Sequence, residues 1–412
     1  MNRALVPLVV AILAGQAPAP GADKPFALAA GDRVVLIGGT LVERDQSYGY
    51  LETRLIRRHP GLSLTFRNLG WSGDTVEGPS RARFGTVADG FKHLVDHVLA
   101  LKPTVLVVGY GANEAFEGAA GLPAFRKGLD ALLAALRPAK ARLVLLAPNR
   151  QEDLGRPLPD PARHNADLAL YRDALREAAK RRGAAFVDLF DALPDGAQAS
   201  PRRPLTDDGI HFNAYGSWRE AGAIERRMAP GPMPAWSVEV GGVPKPSGPV
   251  AAGTKVDALE ATGTGLRFRA LDAILPDPLS PGGGPELGGG RRVLRVADLR
   301  PGRHTLKVDG KPVAEAGADA WKAGVEIRKG PEFDQVEALR SVINAKNELY
   351  FYRWRPQNET YLFGFRKKEQ GQNAREIPEF DPLVAEKEAE IARLRVPVPH
   401  VYELTREGEV GR

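Results

Sequence analysis

The sequence predicts an α/β protein: a three-layer α/β/α sandwich on a five-stranded parallel sheet, with an appended small β unit and a C-terminal helical segment. Two observations carry this. Between Gly31 and Phe190, short runs of Val, Ile and Leu alternate with stretches whose apolar residues recur at three and four positions. After Arg227 the composition shifts to Met228-Ala229-Pro230-Gly231-Pro232-Met233-Pro234, and the apolar period beyond it falls to two.

The five strand segments are Arg33–Ile37, Ser63–Phe66, Thr104–Val108, Arg142–Leu146 and Ala185–Leu189. Unbroken β-branched and Leu runs mark strands covered on both faces, as parallel strands are. Leu122–Leu136 and Asn165–Arg182 read as helices, the second stopped by Gly183. These elements place an α/β domain over residues 23–230. The β unit, residues 231–318, contains Leu266-Arg267-Phe268-Arg269 and a hairpin signal at Asp309-Gly310. In residues 319–412, Phe333, Val336, Leu339 and Ile343 share one helical face, and Pro382–Arg395 is again amphipathic.

Residues 1–22 have the three parts of a secretory signal: Arg3, the apolar run Ala4–Leu13, and a small-residue, Pro-rich exit. The mature protein is therefore expected to be exported, periplasmic or secreted, with cleavage between Ala14 and Ala22. The run is too short to span a bilayer, so no membrane span is expected. The 412 residues contain no Cys, which excludes disulfides, thiolate metal sites and a Cys nucleophile. A net charge of +6, with both signs interspersed, is too dilute to indicate a nucleic-acid partner.

Open parallel sheets bind ligands beyond the carboxyl ends of their strands. Four polar segments fall at or after such ends: Gly38-Gly39-Thr40, Asn68–Thr75, Gly109–Glu114 and, downstream, Leu205–Asn213. Asp208 and His211 are three apart, so one turn can aim both at a common point. A carboxylate on one ring nitrogen fixes the tautomer and leaves the other nitrogen as a base. Thr40 supplies a hydroxyl nucleophile. The Thr40 N–H, the Gly73 N–H and the Asn113 amide supply three donors for an oxyanion.

These four segments resemble the SGNH (GDSL-type) hydrolases, a family of esterases and acyl hydrolases with a flavodoxin-like α/β domain. The matches are Gly-x-Ser/Thr at Gly38–Thr40, Ser-Gly-Asp-Thr at Ser72–Thr75, Gly-x-Asn at Gly111–Asn113 and Asp-Gly-Ile-His at Asp208–His211, in family order over residues 31–228. The stretches 42–50, 352–360 and 369–376 are similar to a subgroup of exported SGNH-like proteins abundant in planctomycetes. The resemblance implies a Thr40/His211/Asp208 triad, an oxyanion hole of Thr40, Gly73 and Asn113, no metal or organic cofactor, and a small-molecule or carbohydrate ester as substrate. One departure is central: the family's Gly-Asp-Ser is Gly38-Gly39-Thr40, so the nucleophile carries an extra methyl and its preceding Asp is Gly. Ser72 leaves a different strand and is a poorer substitute.

Each residue also has a plainer reading. Thr40 could cap the following helix, Asn113 could form an Asx turn and Gly73 a left-handed turn, and Asp208 could cap a helix beside a surface His211. At the level of the whole protein, the alternative to an esterase is a catalytically weak or inactive relative that binds glycan or an exported protein. His93 and His97 lie four apart beside Asp96, but a third ligand is missing and a solvated helix face is the expectation. The aromatic run Tyr350–Phe365 is expected to pack on the α/β domain, with its basic residues turned outward.

Overall fold

A computed structural model describes residues 26–193, 202–241, 246–283, 290–369 and 372–406; the signal peptide expected over residues 1–22 lies outside them. The first sheet consists of β1 (Arg33–Gly38), β2 (Thr65–Asn68), β3 (Val105–Gly109), β4 (Arg142–Leu146) and β5 (Ala185–Val187). All its pairs are parallel and the order is β2-β1-β3-β4-β5. This is the five-stranded parallel sheet the sequence predicts.

Strand alternation divides the apolar residues of this sheet between two cores. Val34, Leu36, Val105 and Val107 face one layer, whereas Val35, Ile37, Leu106 and Val108 face the other. The first layer is built on α1 (Thr40–Tyr48), α2 (Tyr50–Arg58) and α7 (Ala214–Met228). The second is built on α3 (Val87–Ala100), α4 (Gly118–Ala135) and α5 (Ala162–Arg182), and a short α6 (Leu189–Ala192) follows β5. Gly183 ends α5 in a left-handed conformation, with φ of 61°.

Beyond α7 the chain forms two further sheets. One has the order β13-β10-β6-β7 and the other β12-β11-β14-β9-β8. Their strands are β6 (Trp236–Gly241), β7 (Ser247–Ala252), β8 (Thr254–Ala261), β9 (Gly265–Asp272), β10 (Arg292–Val296), β11 (Arg303–Val308), β12 (Lys311–Gly317), β13 (Val325–Glu326) and β14 (His400–Arg406). Asp309 and Gly310 both have positive φ and join β11 to β12, the backbone that a two-residue hairpin requires. A shared core of Trp236, Val238, Leu294, Phe268, Leu306 and Tyr402 closes the two sheets on each other, with Trp321 of α8 (Ala318–Ala323) completing it.

The C-terminal segment departs from the helical expectation in one place. It contains α9 (Pro331–Trp354), α10 (Glu359–Leu362) and α11 (Phe380–Leu394), but the chain then returns as β14 into the middle of the second β sheet. His400, Tyr402 and Leu404 alternate inward there, a period-two signal only five residues long. α9 contributes Val336, Leu339 and Ile343 to the first α/β core and Tyr350 and Trp354 to the second. The aromatic run therefore packs on the α/β domain over its helical part, while Phe363 and Phe365 stay exposed. Among the described residues, no helix is long and apolar enough to cross a membrane.

Candidate active site

Thr40 opens α1 directly after β1, and its hydroxyl does not cap the helix: the N-cap is Gly39, with no side-chain bond. Instead Thr40 Oγ1 accepts from the Gly73 N–H at 3.3 Å. The loop after β2 thus reaches back to the first residue of α1, placing one proposed oxyanion donor beside the proposed nucleophile. Gly73 has φ of +76°, and a Cβ there would meet nothing within 4 Å. Its glycine is required by the left-handed backbone rather than by close approach.

Asn113 follows β3, and its Nδ2 donates to the Asp74 carbonyl at 2.8 Å. It caps nothing. The amide keeps a second proton, and the bond ties the β2 and β3 loops together. Gly39 explains the lost Asp of the family pattern. A Cβ at this position would lie 2.8 Å from Asn113 Nδ2 and 3.3 Å from the Asp74 carbonyl oxygen. A larger residue would push the amide away.

His211 and Asp208 sit on a tight loop, before the helix rather than on its first turn. The loop is closed by the bridge between Thr206 and Phe212, and α7 begins only after its own cap, Asn213. Asp208 Oδ2 contacts His211 Nδ1 at 2.6 Å, while Oδ1 accepts from the His211 and Ile210 N–H groups at 2.8 and 3.0 Å. Burial works against the Asp208 carboxylate, but the His211 ring and the two backbone donors outweigh it and hold the group at about 2. Charged Asp208 assigns the proton to Nδ1 and leaves Nε2 as the basic nitrogen. Thr40, Asn113 and His211 line a single cavity of about 230 Å³.

Residues 28–219 match the sequence profile of the GDSL-like lipase/acylhydrolase family. The α/β domain is similar to that family. No curated protein sequence matches the chain. Among solved structures, a gut microbial diltiazem-metabolizing enzyme is similar in fold, with a TM-score of 0.73 at 16% identity, over 94% of this chain and all of that one. An α/β hydrolase from the metagenome of Lake Arreo, Spain, is 24% identical over 49% of this chain and 96% of its own, with a TM-score of 0.39. An acetylxylan esterase from Geobacillus stearothermophilus is 20% identical over the same shares, with a TM-score of 0.40.

The α/β domain holds its site loops with residues that sequence reasoning missed. Buried Glu152 accepts from the Leu205 and Thr206 N–H groups and from the Thr206 hydroxyl, and its own N–H donates to the Gly209 carbonyl. It fixes both ends of the turn that carries Asp208. Buried Asp74 accepts from Arg81 Nε at 2.7 Å and from Tyr110, anchoring the Gly73 loop from below. Glu114 accepts from the Val76 and Gly111 N–H groups, and burial pushes its carboxyl up against these bonds. Glu43, on α1, accepts from the Ser72 N–H at 2.6 Å and from Arg355 Nη1 at 2.8 Å. Ser72 is thereby held by its backbone as a loop residue.

The cavity wall is largely apolar, with Leu41, Leu168, Ile210 and Phe212, and Asn149 and Gln151 add amides. Phe116 stacks on His164 at 4.3 Å, and burial lowers the basicity of His164. The helix face with His93 and His97 is not solvated as expected. His93 Nδ1 meets the Arg81 carbonyl at 2.9 Å, and His97 packs edge-on against Trp354. Burial, followed by the charges of Arg81 and Arg83, drives His97 down to about 4.

Proposed function

We propose that this protein is an exported ester hydrolase that removes a short acyl group from a carbohydrate through Thr40, His211 and Asp208. The observation that carries the reading is the convergence in one cavity of a hydroxyl, a carboxylate-oriented imidazole and the Asn113 amide, with the Gly73 N–H already touching that hydroxyl. His211 Nε2 removes the Thr40 proton as Oγ1 attacks the ester carbonyl, and Asp208 balances the imidazolium that results. The carbonyl oxygen takes the negative charge and is held by the N–H groups of Thr40 and Gly73 and the free proton of Asn113 Nδ2. His211 then passes its proton to the departing alcohol, and water repeats the sequence on the acyl-threonine. The cavity is small and apolar, which suits a short acyl chain, and the amides of Asn149 and Gln151 suit a hydroxylated alcohol.

A second reading, a protein that binds such groups without cleaving them, is favoured by the methyl on Thr40 and by the absence of an acid at Gly39. One assay separates the two. Wild type, Thr40→Ala, Thr40→Ser and His211→Ala are compared on 4-nitrophenyl acetate and an acetylated xylo-oligosaccharide. The hydrolase reading expects turnover that Thr40→Ala and His211→Ala abolish; equal background rates for all four would favour the binder.

A further inference from the structure

We infer that the ester taken by this site carries a carboxylate about one helical turn from its scissile carbonyl, recognised by Arg44. The inference rests on the hydrolase reading for the position of that carbonyl. Arg44 follows Thr40 by four residues on α1, so its side chain rises from the same helix face one turn along. It lines the same cavity.

Among the described residues it is the guanidinium of that lining, and the carboxylates beside it are already bonded. Asp74 is consumed by Arg81, Tyr110 and the Ser80 N–H; Glu114 by two backbone donors; and His211 by Asp208 on its Nδ1. Among the described residues the Arg44 side chain makes no hydrogen bond, and its Nε is buried without a partner. Its one ion pair, to Asp207, is 3.8 Å long, with the Asp207 side chain 62% exposed. A pair this long and this wet is weak. The Arg44 side chain is 39% exposed, so a ligand can reach it, and a carboxylate can take two parallel N–H bonds from a guanidinium. A ligand carboxylate therefore satisfies Arg44 better than Asp207 does. The apolar wall from Leu41 to Phe212 holds the carbon frame between the two ends.

Two matched pairs of probes test this. In 3-acetoxybenzoate and 3-acetoxybenzamide the ester is the same and only the charge differs; 3-acetamidobenzoate and 3-acetamidobenzamide are their non-hydrolysable counterparts. The inference predicts that wild type prefers the carboxylate by about tenfold or more, in kcat/KM for the first pair and in Kd by calorimetry for the second. Arg44→Gln removes that preference. Asp207→Asn enlarges it by removing the competing carboxylate, and this variant keeps the test decisive if Arg44→Gln fails to fold. A wild-type preference below twofold, no binding of either amide, or a preference that Asp207→Asn leaves unchanged overturns the inference. Arg44-dependent binding of 3-acetamidobenzoate without turnover of either ester would sink the hydrolase reading and leave the carboxylate site standing.

Discussion

Arg355, at the end of α9, donates to Glu43 at 2.8 Å, and the same Glu43 carboxylate holds the Ser72 N–H of the loop that carries Gly73. Arg355 also lies over the Trp71 ring at 3.8 Å, so the C-terminal segment grips the loop through a charge and a ring at once. Arg81 reinforces the grip between Trp71 and Trp354 while bonding Asp74. A segment more than 300 residues away from Glu43 in sequence thus sets the position of the loop that carries the proposed oxyanion donor Gly73.

Loss of this grip is expected to appear in the chemical step. Arg355→Ala should lower kcat by roughly ten- to a hundredfold with little change in KM, because a donor displaced by about 1 Å weakens transition-state contacts more than substrate binding. Arg355→Lys keeps the charge without the planar stack and should fall between the two. Steady-state kinetics on a short acyl ester, with a circular dichroism check of fold, provide the test. A rise in KM alone would assign Arg355 to substrate binding.

Thr40→Ser should keep activity or raise it, since it removes the methyl that crowds the attacked carbon and retains the oxygen held by Gly73. Thr40→Ala should fall to background. Activity in Thr40→Ala equal to wild type would mean that another nucleophile operates.

Asp208 is held at about 2, so it stays charged wherever the protein is assayed. Asp208 should therefore add no ionisation to the acid limb of kcat/KM, whose slope should not exceed one. Asp208→Asn should cost up to about four orders of magnitude in kcat by releasing the His211 tautomer. A slope of two on the acid limb would implicate a second ionising group.

Stability should respond to pH through a different pair. Buried Glu220 on α7 is pushed well up by burial and then by Asp45, and Asp45 on α1 is pushed up to about 7 by burial and then by Glu52. Both values lie above those of an unfolded chain, near 4. The folded state therefore keeps protons that the unfolded chain releases, so this contribution is full below about pH 4 and is lost as pH rises toward 7. Tm should fall between pH 5 and pH 8 by more in wild type than in Glu220→Gln. Parallel curves for the two proteins would rule the pair out as the source.

What could be read in the sequence was whatever lies within one element or one motif. The five strands, the Gly183 stop and the Asp309-Gly310 turn follow from local pattern, and the Asp208–His211 bond follows from a three-residue spacing. Glu152 gave no such signal, because it acts on a loop more than 50 residues away and belongs to no periodic stretch. The segments 42–50 and 352–360 carry the resemblance to a subgroup of exported proteins, but a motif match does not show what they touch. The structure joins them through Glu43 and Arg355, while Arg340 and Asn347 of α9, just ahead of the second segment, donate to the Tyr48 and Gln46 carbonyls of the first. β14 escaped because its inward alternation is too short to outweigh the helical pattern before it.

The most direct test of the account is the site of covalent capture. A fluorophosphonate ester is attacked only by an activated hydroxyl and stays attached to it. Intact-mass and peptide mass spectrometry of the treated protein should find one adduct, on Thr40, absent from Thr40→Ala and greatly slowed in His211→Ala. An adduct on Ser72, or none on wild type at concentrations that label a control serine esterase, would contradict the assignment of Thr40 as nucleophile.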